Sequence, residues 1–366
     1  MRRLISFIAI VLVFTLCLGS FAFAEKDVPD RNAEQIEATE ENLDEQPSTS
    51  QLLVDHGVPV IEDKETVQVE DVCEFSIDYT NVIKRVDPPR PVSYYVYFEA
   101  EAGEQYVDIC ISYKNLNTTD IMADKVGSAY VIYAGEYYYG TYIVIEEQSR
   151  GSLTYSNITP ISPLTTEYLH FLASIPDEAA KSNGELIAVL DIGGQKCHCV
   201  VREGETGKLI QPSENAITEK DCELKLHDIA YIEDVCEISP ESINIARDVY
   251  PAKPYDYCLY FTAGAGKQFI DLCVRYKSFT DRAVLADKLI SATLTYNEKY
   301  NYNAFDIIEQ DSRGTFSYNN ITYVEPLTND YLHYLFEVPD EVANSKEPIT
   351  ITLKVDSYSY TIAVNS

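Results

Sequence analysis

The tripeptide Cys197-His198-Cys199 combines residue types that bind metal ions, because thiolates and imidazole are zinc ligands. Successive side chains of an extended strand point to opposite faces, so the two cysteines would face away from the histidine. The matching positions later in the chain are Tyr360 and Ile362, which are typical of a core. We therefore predict buried, apolar cysteines with no metal and no cofactor; a disulfide and a zinc site are the alternatives.

The remaining cysteines could form disulfides if the protein is exported. Cys73 and Cys110 recur as Cys236 and Cys273, so pairing within each copy is the simplest proposal. The strand alternation complicates it, because it places Cys73 and Cys110 on different faces. Cys258 is a further partner for Cys273, and the sequence does not choose between Cys258–Cys273 and Cys236–Cys273.

His170 and His333 are the histidines that recur, and each alternates with buried leucine and aromatic residues. This alternation predicts that both face outward, packed among surface tyrosines. A general base would need a nucleophile and an orienting group nearby, and the sequence has no Gly-x-Ser-x-Gly or His-Glu-x-x-His pattern. We therefore expect no enzymatic activity, with a secreted hydrolase of unfamiliar site as the alternative.

Arg150 and Arg313 follow the acidic runs Glu146-Glu147 and Glu309-Gln310-Asp311. We expect local ion pairs that set a turn, and exposed pairs of this kind contribute little to stability. A calcium site is the alternative, because calcium takes several carboxylate and carbonyl oxygens. There is no Asp-x-Asp-x-Asp loop.

A run of tyrosines is the best candidate for a binding surface, because tyrosine offers a flat apolar face and a hydroxyl. The alternative is ordinary strand residues, since tyrosine has a high β propensity. The absence of tryptophan argues against a carbohydrate platform. The candidate ligand-binding residues are Tyr137, Tyr138, Tyr139, Tyr142, Tyr300 and Tyr302.

These residues lie in a sequence that occurs twice. The stretch Tyr106–Lys114 alternates apolar and polar residues, and Phe269–Lys277 repeats it 163 positions later. The offset of 163 residues between the two copies holds without a gap up to the end of the chain. Each copy is large enough for its own core. Short alternating runs separated by turn residues predict a two-sheet antiparallel sandwich, with a small barrel as the alternative.

The chain begins with a basic and then apolar segment that ends in Ala22-Phe23-Ala24, typical of a secretory signal. An uncleaved anchor is the alternative, and no later apolar run is long enough to span a membrane. Acidic residues outnumber basic ones by 59 to 28, which excludes nucleic acid as a natural partner. The predicted divisions are a signal peptide (1–24), a disordered acidic tether (25–64), repeat 1 (65–202), a linker (203–221) and repeat 2 (222–366).

Several motifs recur in both copies and carry a family resemblance. A glycine precedes the central strand (Gly103, Gly266), which runs into Tyr-Lys-Asn or Tyr-Lys-Ser. Later come Pro163-Leu-Thr165 or Pro326-Leu-Thr328 and a strand that ends in Pro-Asp-Glu. This resembles the telokin-like, immunoglobulin-like extracellular domains of unknown function in secreted Gram-positive bacterial proteins. The resemblance implies an immunoglobulin-like sandwich outside the cell and no catalytic residues.

The sequence thus predicts an all-β protein with two tandem immunoglobulin-like β-sandwich domains after a disordered acidic tether. We expect it to be secreted or held at the cell surface. The expected function is binding of an extracellular protein or polysaccharide, and two linked copies would raise avidity. The alternative is a spacer of the cell envelope without a specific ligand.

Overall fold

Short antiparallel strands form nearly all of the regular structure in the computed structural model, which describes residues 48–365. The predicted signal peptide and residues 25–47 of the predicted tether lie outside this range. Within it, no helix is long and apolar enough to cross a membrane.

The first half of the described chain builds two main sheets. The larger sheet has the order β1-β2-β5-β12-β9-β10, and the smaller one has the order β14-β13-β7-β8. Short pairs join β3 to β4 and β6 to β11. The strands are β1 (Thr66–Val69), β2 (Cys73–Ile83), β3 (Arg85–Val86), β4 (Phe98–Glu99), β5 (Glu104–Asn115), β6 (Ile121–Met122), β7 (Gly127–Tyr133), β8 (Tyr137–Gly140), β9 (Tyr142–Glu147), β10 (Ser152–Tyr155), β11 (Pro160–Ile161), β12 (Thr166–Pro176), β13 (Leu186–Ile192) and β14 (Gln195–Arg202).

The second half has a larger sheet with the matching strand order. Its strands are β15 (Cys222–Glu223), β16 (Ala230–Ile232), β17 (Cys236–Ala246), β18 (Asp248–Val249), β19 (Phe261–Thr262), β20 (Lys267–Ser278), β21 (Val284–Leu285), β22 (Ser291–Tyr296), β23 (Tyr300–Asn303), β24 (Phe305–Gln310), β25 (Thr315–Tyr318), β26 (Tyr323–Val324), β27 (Asn329–Pro339), β28 (Ile349–Val355) and β29 (Tyr358–Ala363). The larger sheet runs β16-β17-β20-β27-β24-β25, and the smaller runs β15-β29-β28-β22-β23. The described residues also contain three short α-helices, α1 (Thr49–Asp55), α2 (Asp177–Lys181) and α3 (Asp340–Ala343), and four single-turn 3-10 helices.

The alternating apolar residues fill the space between the two sheets of each half. On β5 they are Val107, Ile109, Ile111 and Tyr113, all fully buried, and β20 repeats this face. Gly193 and Gly194 form the tight turn between β13 and β14, and both have the positive φ that such a turn requires. The prediction of an all-β sandwich is therefore confirmed.

The opposite face of the larger sheet is covered as well, which the sequence did not indicate. Residues 85–100 cross it, and only their two ends, β3 and β4, form strands. A small second cluster of buried apolar residues lies under this segment in each half. Its members are Val86, Ala100, Tyr106, Val144, Leu153 and Leu172 in the first half and Val249, Ala263, Phe269, Ile307, Phe316 and Leu335 in the second.

The end of the predicted tether is part of the first sandwich. The Oγ of Ser48 accepts a hydrogen bond from Gln51 N at 3.2 Å and caps α1. The backbone N–H of Thr49 donates to Glu185 Oε2 at 3.0 Å, and Ile61 is buried in the core. The prediction of disorder is therefore wrong for residues 48–64, because this segment carries apolar residues that the core accepts.

The predicted linker also packs against the sandwiches. Ile210 is buried in the core cluster of the first half, and Leu209 lies against that cluster. Ile217 forms a bridge with Ala230. Residues 203–221 therefore join the two halves without behaving as a free spacer.

Strand β8, at the edge of the smaller sheet of repeat 1, docks onto repeat 2. The Tyr139 hydroxyl donates to Pro326 O at 3.2 Å, and Tyr138 N donates to Asp281 O at 2.8 Å. Phe279 and Leu327 of repeat 2 belong to the core cluster of repeat 1. Tyr137 and Tyr139 are buried at this contact, so the prediction that they form a free binding surface is wrong.

Comparing Tyr137 with its counterpart Tyr300 measures what this docking contributes. Tyr137 stacks on Tyr133 with ring centroids 6.1 Å apart, and Tyr300 stacks on Tyr296 at 6.2 Å. Only Tyr137 is also buried at the contact, being 3% exposed against 49% for Tyr300. We expect Tyr137→Ala to lower the free energy of unfolding by about 3 kcal/mol, and Tyr300→Ala by less than about 1.5 kcal/mol. Urea unfolding monitored by circular dichroism checks this, and equal losses would contradict the docked arrangement.

Candidate functional site

A set of ionisable side chains is buried between the larger sheet and the segment that covers it. Asp108 and Cys110 come from β5, His170 from β12, and Glu146 from β9, while Arg150 lies in the turn after β9. The register places Cys110 directly opposite His170 on the paired strand, which brings the three strands' side chains together. We call these five residues the first charge cluster.

The imidazole of His170 lies between two carboxylates. Its Nδ1 is 2.8 Å from Asp108 Oδ1, and its Nε2 is 3.1 Å from Glu146 Oε1. The guanidinium of Arg150 forms a two-pronged ion pair with Glu146 and lies 3.3 Å from Asp78 Oδ2. Asp78 is the extra residue of a bulge in β2, and this irregularity directs its carboxylate toward the arginine.

The second half contains the matching second charge cluster: Asp271, Cys273, Glu309, Arg313 and His333. The Nδ1 of His333 lies 2.9 Å from Asp271 Oδ1, and its Nε2 lies 3.4 Å from Glu309 Oε1. Arg313 pairs with Glu309 as Arg150 does with Glu146. In each cluster the guanidinium also stacks on a tyrosine ring, Tyr168 at 3.6 Å or Tyr331 at 3.5 Å from the ring centroid.

The prediction that the two histidines face away from the leucine core is correct, but the prediction that they lie at the surface is wrong. His170 and His333 do point away from the leucine core, yet both are buried. The physical reason lies in side chains from other strands, which no periodic pattern indicated: the Tyr79 ring lies 6.0 Å from the His170 ring and the Phe316 ring 5.1 Å from the His333 ring, between centroids. A usable signal was present, because Asp108, Cys110 and their partners recur unchanged on a face that otherwise varies.

Neighbouring charged groups determine the protonation states of His170 and Glu146. Burial alone would lower the pKa of His170, but its hydrogen bonds to Asp108, Cys110 and Glu146 raise that pKa well above its ordinary value. Burial would raise the pKa of Glu146, and its bonds to His170 and Arg150 more than offset this and lower it. The cluster is therefore an imidazolium between carboxylates, with the glutamate shared by an arginine.

The cluster has the residue types of a nucleophile, a base and an orienting acid, but its geometry does not suit catalysis. The Sγ of Cys110 lies 3.9 Å from His170 Nε2, and the thiol is fully buried. Burial raises the pKa of this thiol, which is the opposite of what an activated nucleophile needs. A substrate would have no route to the sulfur without displacing the covering segment.

The same atoms could be considered as metal ligands. Donor atoms of Cys110, Glu146 and His170 all lie within 4.8 Å of one another. However, the glutamate and the imidazole already bind each other, and Arg150 places a second positive charge beside them. An ion would have to displace both of these pairs, so the arrangement favours an ion-pair network over a metal centre.

The turn that carries Arg150 has an unusual backbone. Gln148, Ser149 and Arg150 have φ values of 52°, 56° and 69°, and Gly151 N donates to Glu147 O at 2.9 Å. This is a single left-handed turn of non-glycine residues, which costs about 1–3 kcal/mol per residue. Asp311, Ser312 and Arg313 repeat it. The ion pair between Arg150 and Glu146 links this strained turn to the buried cluster and holds it.

The strained turn anchors a loop, residues 87–97, which we call the first tyrosine loop. Arg90 N donates to Arg150 O at 3.0 Å, and Val92 N donates to Gly151 O at 3.1 Å. Val96 N then donates to Ser152 Oγ at 3.1 Å. Between these anchors Tyr94 projects from the surface and is 94% exposed.

Residues 250–260 form the second tyrosine loop, which is anchored in the same way. Lys253 N donates to Arg313 O at 2.9 Å, Tyr255 N to Gly314 O at 3.1 Å, and Leu259 N to Thr315 Oγ1 at 3.0 Å. Tyr257, the counterpart of Tyr94, is 92% exposed. The repetition of both the anchors and the exposed ring marks these loops as the candidate site.

Glycine is required where each loop meets its turn. A Cβ on Gly151 would lie 2.7 Å from Val92 Cγ1, and one on Gly314 would lie 2.4 Å from the ring of Tyr255. The close approach of loop and turn therefore depends on the missing side chain. The Ser-Arg-Gly motif, found in both copies of the sequence, is explained by this contact.

The other predicted tyrosines do not gather into one exposed surface. Tyr142 is half-buried and packs edge-on against Tyr106 at 6.0 Å, and Tyr138 lies under the guanidinium of Arg282 at the contact between repeats. Tyr300 is exposed and Tyr302 is half-buried at the free edge of repeat 2. Of the predicted set, only the repeat 2 members thus remain open to a partner.

The cysteines among the described residues are free thiols. Cys236 lies opposite Ser278 in the pairing of β17 with β20, whereas Cys273 lies opposite Ser242, so the two cannot meet. Cys73 lies in the core and Cys110 in the charge cluster on the other face of the sheet, as the alternation predicted. Cys258, in the second tyrosine loop, is also unpaired, so the Cys258–Cys273 bond is not formed either.

Cys197 and Cys199 are both buried in the core of the first sandwich, as the strand alternation predicted. His198 points the other way, where the imidazole lies 2.8 Å from Ser50 Oγ and 3.0 Å from Val58 O. Burial lowers the pKa of this histidine. Its role is to hold helix α1 and the segment after it against the sheet.

Comparisons with known proteins give little beyond the fold. No family model matches the sequence, and no curated protein matches it. A crystal structure of an uncharacterized β-sandwich protein from Clostridium difficile 630 is similar, with 24% sequence identity and a TM-score of 0.37. The similarity covers 42% of this chain and 100% of that chain. The description of the fold rests on the sheets given above.

The charge cluster predicts a pH dependence of stability. The folded-state pKa of His170 is raised, so its stabilising effect is complete below the unfolded value of about 6.5 and is lost as the pH rises through the folded value. We expect the free energy of unfolding to fall as the pH rises above about 6.5, and to fall less steeply in His170→Gln. Urea titrations at several pH values check this.

His198→Gln is the matched control for this measurement. The pKa of His198 is lowered, so the histidine is neutral above pH 7 in both states, and its replacement should leave the slope unchanged. Equal slopes for the native protein and His170→Gln would contradict the charged state assigned to the cluster.

Proposed function

We propose that this protein is a non-catalytic binding module that works outside the cell and uses its two tyrosine loops to hold a partner protein. The observation that carries the proposal is the repeated presence of an almost fully exposed tyrosine, Tyr94 or Tyr257, on a loop whose backbone is fixed at both ends. Contiguous exposed apolar surface marks interaction sites, and in both loops other exposed apolar side chains lie beside this ring: Val96 and Tyr97 in the first, Tyr255 and Tyr260 in the second.

The loops have the properties of a preorganised recognition surface. Prolines restrict their backbones, at Pro88, Pro89 and Pro91 in the first loop and at Pro251 and Pro254 in the second. The hydrogen bonds to the strained turn remove further freedom. A tyrosine ring offers a large amphipathic contact area with little side-chain entropy to lose, as in antibody recognition loops.

Composition narrows the class of partner. The net charge of −31 disfavours anionic polymers, and without tryptophan the protein lacks the strongest aromatic platform for sugars. A protein partner with apolar or basic patches fits a tyrosine surface better. Two copies of the loop in one chain would raise the avidity for a partner that offers two sites.

The extracellular setting of this proposal rests on the N-terminal sequence. The basic and apolar start and the Ala22-Phe23-Ala24 site are typical of a secretory signal. We further propose that the sandwiches are of the telokin-like, immunoglobulin-like kind, on the motifs quoted above. The absence of an accessible nucleophile in either charge cluster supports a non-catalytic role.

A second candidate is a spacer of the cell envelope. The observation that favours it is the docking of β8 onto repeat 2, which buries Phe279 and Leu327 in the core cluster of repeat 1. A spacer needs such a firm contact between its domains and has no use for exposed tyrosines on fixed loops.

An array of purified extracellular proteins, read beside a glycan array, separates the two candidates. We expect the full chain to bind one or more of the proteins, and expect Tyr94→Ala with Tyr257→Ala to weaken that binding by about tenfold or more. Tyr323→Ala, which alters another exposed tyrosine, is the control and should bind normally. Binding only to glycans, no binding, or binding that ignores both loop tyrosines would contradict the proposal.

A further inference from the structure

The contact between the repeats joins a docking strand of repeat 1 to a receiving surface of repeat 2. Each of these two surfaces has a counterpart in the other repeat, and both counterparts are exposed. The docking strand β8 of repeat 1 corresponds to β23 of repeat 2. Tyr137 is 3% exposed where repeat 2 covers it, whereas Tyr300, at the matching position, is 49% exposed. The two strands pair with their neighbours in the same way, β7 with β8 and β22 with β23.

The receiving surface shows the same contrast. Leu327 of repeat 2 is fully buried beneath β8, whereas its counterpart Leu164 in repeat 1 is 72% exposed. The two leucines share the same uncommon backbone, with φ of 60° and 62°. The difference in their exposure therefore comes from the docked strand and not from the local fold.

The charges at the contact also recur. Lys277 Nζ lies 2.7 Å from Glu178 Oε2 across the contact between repeats. Their counterparts are Lys114 of repeat 1, whose nearest acid, Glu74, is 3.9 Å away, and Glu341 of repeat 2, which is exposed. The proline whose carbonyl accepts the bond from Tyr139 is retained, as Pro163, and Tyr302 stands in the place of Tyr139.

Some contacts across the repeats are not retained. Ser312 N donates to Glu101 Oε2 at 3.1 Å. The matching residues are Ser149 and Gly264, and the glycine has no carboxylate.

Arg282 lies 4.9 Å from the ring centroid of Tyr138 within the chain, and the matching pair is Thr119 and Asn301. The covalent link between the repeats is also absent for two separate molecules. An intermolecular version of this contact must therefore be weaker than the internal one.

From this agreement we infer that β23 of one molecule docks onto the Leu164 surface of repeat 1 in a second copy of the chain. The contact repeats the internal one, with Tyr300 and Tyr302 covering Leu164 and Glu341 pairing with Lys114. Such a contact joins two different surfaces, so each added copy leaves one of each surface free. The product is a head-to-tail array of copies.

Two single-surface variants test this directly by analytical ultracentrifugation of the full chain. The native protein should form species of more than two copies as its concentration approaches about 1 mM, the effective concentration that a short linker provides. Tyr300→Asp removes the docking strand's ring and Leu164→Asp removes the receiving surface. Each variant alone should stay monomeric, with self-association weakened by about tenfold or more.

Mixing the two variants gives the decisive result. Tyr300→Asp keeps its Leu164 surface and Leu164→Asp keeps its β23, so an equal mixture should form one-to-one dimers that grow no further. Both residues are exposed in the monomer, and unchanged melting temperatures would confirm that the variants fold. A native protein that is monomeric throughout, self-association that neither variant reduces, or a mixture that stays monomeric would overturn the inference.

Discussion

The ion pairing of one buried imidazolium supports the architecture of each sandwich. His170 lies between Asp108 and Glu146, Glu146 also holds Arg150, and the four charges sum to zero. Buried charges are stable only when they are paired in this way, and removing one partner costs about 3–5 kcal/mol. Since Arg150 belongs to a left-handed turn, the network also holds a strained backbone at the protein surface.

The strained turn fixes the backbone of the exposed tyrosine loop. The turn's carbonyls accept hydrogen bonds from Arg90 and Val92, and the loop so fixed carries Tyr94. Repeat 2 contains the same sequence of contacts, ending at Tyr257. Two halves of one chain therefore hold the same strained turn and the same exposed ring, while only one of them uses its edge strand for docking. The strained turn and exposed ring, which both repeats share, indicate recognition of a partner. The edge strand, which docks in only one repeat, indicates assembly of copies.

The sequence predicted those features that depend on local periodicity. The alternation of Val107, Ile109 and Ile111 identified the core face of β5, and the short alternating runs identified the two-sheet sandwich. It failed for His170, because burial of that side chain depends on Tyr79 and Glu146, which come from other strands. It also failed for Tyr137, whose burial depends on the other repeat. Comparison of the two copies could have found the clusters, since recurring charges on an apparently exposed face require an explanation.

The central claim is that the charge cluster holds the turn to which the tyrosine loop is anchored. Amide hydrogen exchange in Arg150→Met tests it most directly, with repeat 2 as an internal reference. The account predicts that the amides of Arg90 and Val92 lose about tenfold or more of their protection, whereas those of Lys253 and Tyr255 keep theirs. Unchanged protection at Arg90 and Val92, or an equal loss in both repeats, would contradict it.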